Sequence, residues 1–293
     1  MKKTTKARKL EVFRLHCREG EDELDYGEVF ARLSKAKKSV RQLEIGDKLL
    51  ALPSIRFHDV RKLVEFTAYE GPVGVNPLIY DAGTGSERFE ELTDKQVVAT
   101  RTYGVIDLKE REAIIEYNQR GAKAHDIAML LEETGRKVGL GPEFAVEINP
   151  TVDESFLASL ERFGRIKVAN IKVARPNLDW TDNYEGLNKI GAESNGRMVE
   201  LTVTAHRNNS LSIRGGIIQF IQQMVEERFS SLKSASVVGV RKGETAETTI
   251  SLANHVVHQK TYVKVDTNGH AVSADIQEKL IEFQKSRAAA RRR

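Results

Sequence analysis

The sequence predicts an α+β protein of two domains. Three observations carry that expectation. Short stretches alternate apolar and polar residues with the period of two that marks a half-buried strand. Other stretches repeat apolar residues every three to four positions, as a helix with one buried face does. The strand-like stretches come mostly in neighbouring pairs, which favours antiparallel sheets with helices packed against them over a series of parallel βαβ units. The 293 residues suffice for two cores, and 40% apolar with 30% charged residues is the profile of a water-soluble globular chain.

The first domain is expected over residues 10–138. "KLEVFRLHC" sets Phe13, Leu15 and Cys17 against Val12, Arg14 and His16, so it reads as a strand. "DYGEVFARLSKA" puts Tyr26, Val29, Phe30 and Leu33 on one helical face, with Asp25 and Glu28 spaced to cap its start. The stretch 47–71 is β-branched and broken near Pro53 and Asp59, which predicts two or three antiparallel strands. A hairpin follows: strand 96–106, turn near Asp107–Lys109, strand 112–118. A helix over 122–135 is expected to stop at Gly135 in the left-handed position after the last turn.

"RKVGLGP", residues 136–142, reads as the linker, because Gly139, Gly141 and Pro142 break regular structure. The second domain is expected over 143–284. "EFAVEINPT" and "RIKVANIKVA" read as strands around a helix, "DESFLASLERFG". A short helix is expected at 183–194. "MVELTVTA" alternates most cleanly. The longest helix is expected over 210–232, with Ile213, Ile217, Phe220, Ile221, Met224 and Val225 in one stripe. The strands "SASVVGVR" and "QKTYVKV" and a closing helix from Ser273 complete the domain. Basic tails at 1–9 and 285–293 flank the two domains.

Charge is unevenly placed. The net charge is +4, yet residues 1–9 and 285–293 hold ten lysines and arginines and no acid; subtracting ten leaves −6 for the body. Basic arms on an acidic body hold polyanions without reading sequence. A second cluster, "SKAKKSVR", carries Lys35, Lys37, Lys38 and Arg41. In "SIRGG", Arg214 precedes Gly215 and Gly216 at a helix start. Either the free N–H groups hold a phosphate there, or the glycines let the helix lie close to a strand. The expected DNA contacts are therefore Lys2, Lys3, Lys6, Lys35, Lys37, Lys38, Arg41, Arg214, Arg291, Arg292 and Arg293. Aromatic residues are 6% of the chain and form no obvious stacking platform in the sequence.

Catalytic patterns are sparse, and no cofactor or metal is expected. "LIYDAGTGSERFEEL" sets Asp81 before Gly83 and Gly85, as a nucleotide or methyl-donor site does. The strand before it is too short, and no full crossover helix follows, so a loop is expected. Asp107-Leu108-Lys109 is the one carboxylate-x-Lys triplet, a pairing used by metal-dependent nucleases, but it falls on a predicted turn. His255 and His258 lack a third ligand for zinc. Cys17, the only cysteine, lies on an apolar strand face; it excludes an intrachain disulfide and fits a cytoplasmic chain.

The run "LTDKQVVATRTYGVIDLKEREAIIEYNQRGAKAHDIAMLLEE" and the later order of "FAVEINPTV", "MVELTVTA", the long helix, "TISLANHVVHQKTYVKV" and "ADIQEKLIEFQKSR" together resemble the RexA group of phage exclusion proteins over residues 90–285. The resemblance implies a dimeric, two-domain α+β protein that binds DNA through charge, without catalysis. It also implies a role in excluding infecting phage by abortive infection, with a membrane or effector partner encoded nearby. The alternatives are an enzyme, either a methyl-donor-dependent transferase using Asp81, Gly83 and Gly85 or a nuclease using Asp107 and Lys109, and a sensor subunit that binds another protein.

Overall fold

A computed structural model of the chain describes residues 4–20, 22–93, 96–153, 155–174, 194, 198–226 and 232–291. Lys2, Lys3, Arg292, Arg293 and nearly all of the helix expected at 183–194 lie outside the described residues. The class is α+β, as expected: five described α-helices accompany fifteen mainly antiparallel strands in three sheets.

The chain forms two compact units, Met1–Ile148 with His258–Arg293, and Asn149–Val257. This corrects the expected boundary at 136–142 and the assignment of 258–284 to the second domain. The helix over Ala124–Lys137 runs through Gly135, whose missing Cβ makes room for the buried ring of Phe144. Gly139 (φ 81°) and Gly141 (φ 117°) then take backbone conformations that suit only glycine, and turn the chain back into the same unit. The supposed linker is thus a packed turn.

In the first unit the order is β1 (Thr5–Glu19), β2 (Asp22–Glu23), α1 (Tyr26–Lys35), β3 (Gln42–Ile45), β4 (Lys48–His58) and β5 (Leu63–Pro72). A small hairpin of β6 (Leu78–Asp81) and β7 (Ser86–Phe89) follows, then β8 (Thr100–Asp107), β9 (Glu112–Tyr117), α2 (Ala124–Lys137) and β10 (Phe144–Pro150). The main sheet runs β10-β1-β9-β8-β5-β4-β3. Asp25 caps α1 by accepting the N–H of Glu28 at 2.9 Å, as its position predicts.

One face of this sheet, with Leu15, Leu50, Phe66 and Ile115, packs under Phe30 and Leu33 of α1 and Leu130 and Leu131 of α2. Opposite Phe66 on β8 stands Gly104, where any side chain would overlap the phenyl ring.

The second unit holds α3 (Ser155–Glu161), β11 (Phe163–Ala174), β12 (Met198–Thr204), α4 (Gly216–Glu226), β13 (Leu232–Arg241) and β14 (Glu247–Ser251). Its antiparallel sheet runs β12-β11-β13-β14. Ile171, Val237 and Ile250 from the sheet meet Phe156 and Leu160 of α3 and Ile218 and Ile221 of α4. Gly216 opens α4 at φ 60° with nothing near its Cβ position, so it serves a left-handed turn rather than close packing on a strand.

The chain then returns to the first unit as β15 (His258–Lys264) and α5 (Ser273–Arg291). Strand β15 pairs antiparallel with the first half of β1, and α5 covers the sheet face opposite α1 and α2. Of the two expected basic tails, residues 5–9 lie in β1 and residues 285–291 in α5. Among the described residues no helix is long and apolar enough to cross a membrane.

Candidate nucleic-acid interface

Antiparallel pairing places residues of β15, β1 and β9 in transverse rows. Lys9 of β1 stands opposite Lys260 on one side and Tyr117 of β9 on the other. Directly opposed residues share a sheet face, and so do residues two apart on one strand. Lys260, Tyr262 and Lys264 therefore lie on the face that carries Lys9 and Tyr117. At this end of β1 the face is exposed: Tyr262 is 70% accessible and Tyr117 47%. The helices covering the core sit further along, over Phe13 and Leu15.

Tyr117 gathers cations. The Lys9 ammonium lies 5.3 Å from its ring centre and that of Lys123, at the start of α2, 5.0 Å. Cations at such distances are held by the negative face of the ring. The surface thus presents Lys9, Lys123, Lys260 and Lys264 against the carboxylate of Glu11, which pairs with Lys9 at 2.7 Å. Beside it an open groove of about 950 Å³ is lined by Thr4–Ala7, Tyr262 and the turn Val265–Gly269. The one acid in that turn, Asp266, directs its Oδ1 to the N–H groups of Asn268 and His270, both at 2.9 Å.

Among the described residues no strand pairs with the outer edge of β15. Lys264 donates its N–H to Asp275 and accepts from Val272 N–H, which seals the end of the strand. Alternation in the ladder turns the backbone groups of Lys260 and Tyr262 away from β1.

Among the described residues of the first unit, those singled out from the sequence do not form one cluster. Lys6 is exposed on β1 and lines the groove. Lys35, Lys37 and Lys38 are exposed at the end of α1, beside β3 at the opposite edge of the sheet. Arg214 is exposed in the turn before α4, in the second unit.

Two expected contacts are corrected. Arg41 is buried, its Nε without a partner, and burial alone lowers its pKa. Its backbone carbonyl accepts the N–H of Leu52, and little of the residue is left exposed to a phosphate. Arg291 is spent on Glu110, at 3.1 Å, and on Glu112. Arg287 makes a two-pronged contact with the same Glu112, 2.8 Å in each arm. Arg287 and Arg291 are thus paired with the acidic β8–β9 turn, while Lys285 of the same helix is exposed.

The cluster of Tyr117, Tyr262 and the lysines is not legible in the sequence as a whole because its parts are far apart along the chain. One signal was present: Lys260-x-Tyr262-x-Lys264 puts two cations and an aromatic ring on one face of a strand.

The catalytic alternatives take structural roles. Asp81 turns the β6–β7 hairpin, its Oδ1 accepting the N–H of Gly83 at 2.8 Å, and that bond holds its pKa below the ordinary carboxylate value. Gly85 (φ 69°) completes the turn. Asp107 accepts the N–H groups of Lys109 and Glu110 through Oδ1 and the amide of Gln284 through Oδ2. His255 is held by Ser155 and by an edge-on contact with Phe156, whereas His258 begins β15. Cys17 is buried, and desolvation raises its thiol far above the ordinary value, which suppresses the thiolate. Among the described residues no three metal-ligating side chains converge.

No protein-family model matches the chain, and no curated protein matches it.

Proposed function

We propose that this chain binds DNA without reading its sequence, through the lysine and tyrosine surface of β15, β1 and β9. The observation that carries the reading is the row Lys260–Lys9–Tyr117, extended by Tyr262 and Lys264. Lysines attract the phosphate backbone and release its counterions. The exposed ring of Tyr262 offers a stacking surface, which any base can use. The activity is one of binding, not catalysis. Its cellular role is exclusion of infecting phage from within the cytoplasm, acting as a homodimer with a membrane or effector partner encoded nearby. That role is supported by the resemblance of residues 90–285 to the RexA group.

The test is a salt titration of DNA binding with single- and double-stranded probes of unrelated sequence. Wild-type affinity should fall steeply with salt and be alike for all sequences. In Lys260→Glu/Lys264→Glu the logarithmic slope should become shallower by roughly 1.4–1.8, since each lost phosphate contact removes about 0.7–0.9. Arg214→Glu, an exposed position in the second unit, should leave the slope nearly unchanged. A double variant with wild-type affinity and slope rules out this surface, and a salt-insensitive wild type rules out the function.

A further inference from the structure

The hairpin of β6 and β7 carries the largest concentration of exposed apolar side chains in the first unit. The register sets Leu78 opposite Phe89 and Tyr80 opposite Glu87. Leu78, Tyr80 and Phe89 therefore share one face of a two-stranded ribbon, and they are 52%, 65% and 68% exposed. A two-stranded ribbon is marginal in water unless another surface covers it. Its charge is acidic: Glu87, Glu90 and Glu91 stand against Arg88, which already pairs with Glu90. That sign disfavours nucleic acid and anionic membrane as the covering surface.

The same chain carries a complement. An apolar cavity of about 190 Å³ lies at the β3 edge of the main sheet, between Leu49, Ala51 and Pro53 of β4, Tyr69 of β5, and Val97 and Ala99 before β8. Lys38 stands at its rim. A cavity of roughly 150 Å³ lined by apolar groups accepts a benzene ring, so this one has room for a single aromatic side chain. Lys35 and Lys37, exposed next to Lys38, form no ion pair among the described residues.

We infer that the β6–β7 arm of one copy docks on the β3 edge of a second copy, with an aromatic ring of the arm in the apolar cavity and Glu87, Glu90 and Glu91 facing Lys35, Lys37 and Lys38. Knob and hole are distinct patches of one chain; with the two copies related by a two-fold axis, the contact forms twice and the assembly closes as a dimer. The lysines that the sequence marks for DNA thereby serve self-association. This inference names the surface for the homodimer in the proposed function and rests on that part of it.

Light scattering of the full chain during gel filtration, without DNA, tests it. The wild type should have twice the 32.9 kDa mass of one chain, and Tyr80→Ser/Phe89→Ser the mass of one. Changing Lys35, Lys37 and Lys38 to Glu should also give single chains, and adding Glu87→Lys, Glu90→Lys and Glu91→Lys should restore the pair. Because a misfolded chain is not rescued by a charge exchange, restoration separates docking from damage. A dimer that survives the serine variant, or a charge exchange that fails to restore pairing, overturns the arm contact and leaves the dimer standing. A monomeric wild type overturns both, and DNA binding is read separately by the salt titration.

Discussion

The two ends of the chain are equally basic in sequence and opposite in structure. At the first, β1 aligns Lys9 with Lys260 on one side and Tyr117 on the other, so its charge joins other cations at an open surface. At the last, α5 lays Arg287 and Arg291 on Glu110 and Glu112, so the charge of these two arginines is met by acids of the same unit. Strand β1 can present its lysines because a sheet turns alternate residues to the same side. Helix α5 pairs Arg287 and Arg291 because it lies across a turn rich in acid. Counting charges along the chain treats the two alike; only the partners opposite them decide which end reaches a polyanion.

The largest expected effect would break this contrast if it failed. Glu112 is 4% exposed, and its side chain depends on Arg287 and Arg291 for compensation. Arg287→Ala/Arg291→Ala strands a buried carboxylate, which costs about 3–5 kcal/mol, while the loss of Lys260 and Lys264 to Ala at the exposed end should cost within about 0.5 kcal/mol. Denaturant melts of both variants measure the difference. Adding Glu112→Gln to the arginine variant should recover most of its loss, since the uncompensated charge is then gone. Equal melting behaviour in the two variants would mean that the arginine contacts are ordinary surface pairs. The same arginine variant should bind DNA as the wild type does, because these side chains are already engaged.

A smaller effect concerns the turn that joins α2 to β10. Gly135→Ala improves helix propensity by about 1 kcal/mol, but the added methyl group overlaps the fully buried ring of Phe144. Overpacking a tight core costs about 1–3 kcal/mol, so the net change should be a loss, which Phe144→Leu partly relieves. Gly139→Ala should lose stability without such relief, because its cost lies in the left-handed backbone. A double-mutant cycle of Gly135 and Phe144 showing no coupling would refute the packing account.

These glycines show where sequence reasoning succeeded and where it stopped. Local patterns were legible: the alternation around Phe13, Leu15 and Cys17, the Asp25 cap, and the strand Met198–Thr204 all follow from rules that act within a few residues. Gly135 was read as a helix end because glycine often is one, yet its reason for being glycine is Phe144, nine residues on. The return of β15 and α5 to the first unit was hidden for the same cause, since strand pairing depends on partners that no local pattern names. The candidate surface was half visible. Lys260, Tyr262 and Lys264 alternate openly, whereas Lys9 and Tyr117 join them only through register. Arg41 misled because its neighbours in sequence are exposed lysines, while its own place opposite Leu52 is interior.

The smallest effect probes the inner side of β1, beneath the basic surface. Glu116 stands opposite Leu10, pairs with Arg8 at 3.1 Å and is almost wholly buried. Burial raises its pKa above the ordinary 4.5, against the opposing pull of Arg8 and of the Tyr103 N–H. A carboxyl whose pKa rises on folding holds its proton more tightly in the folded chain than in the unfolded one. Its contribution is most favourable below the ordinary value and is lost as pH climbs through the raised one. Glu116→Gln removes this dependence while keeping the shape. The melting temperature of the variant minus that of the wild type should therefore increase from acid toward neutral pH. A flat difference would show that the Arg8 pair cancels desolvation, and one that falls as pH rises would show that it outweighs it, so that the inner face of β1 is held by charge as α5 is.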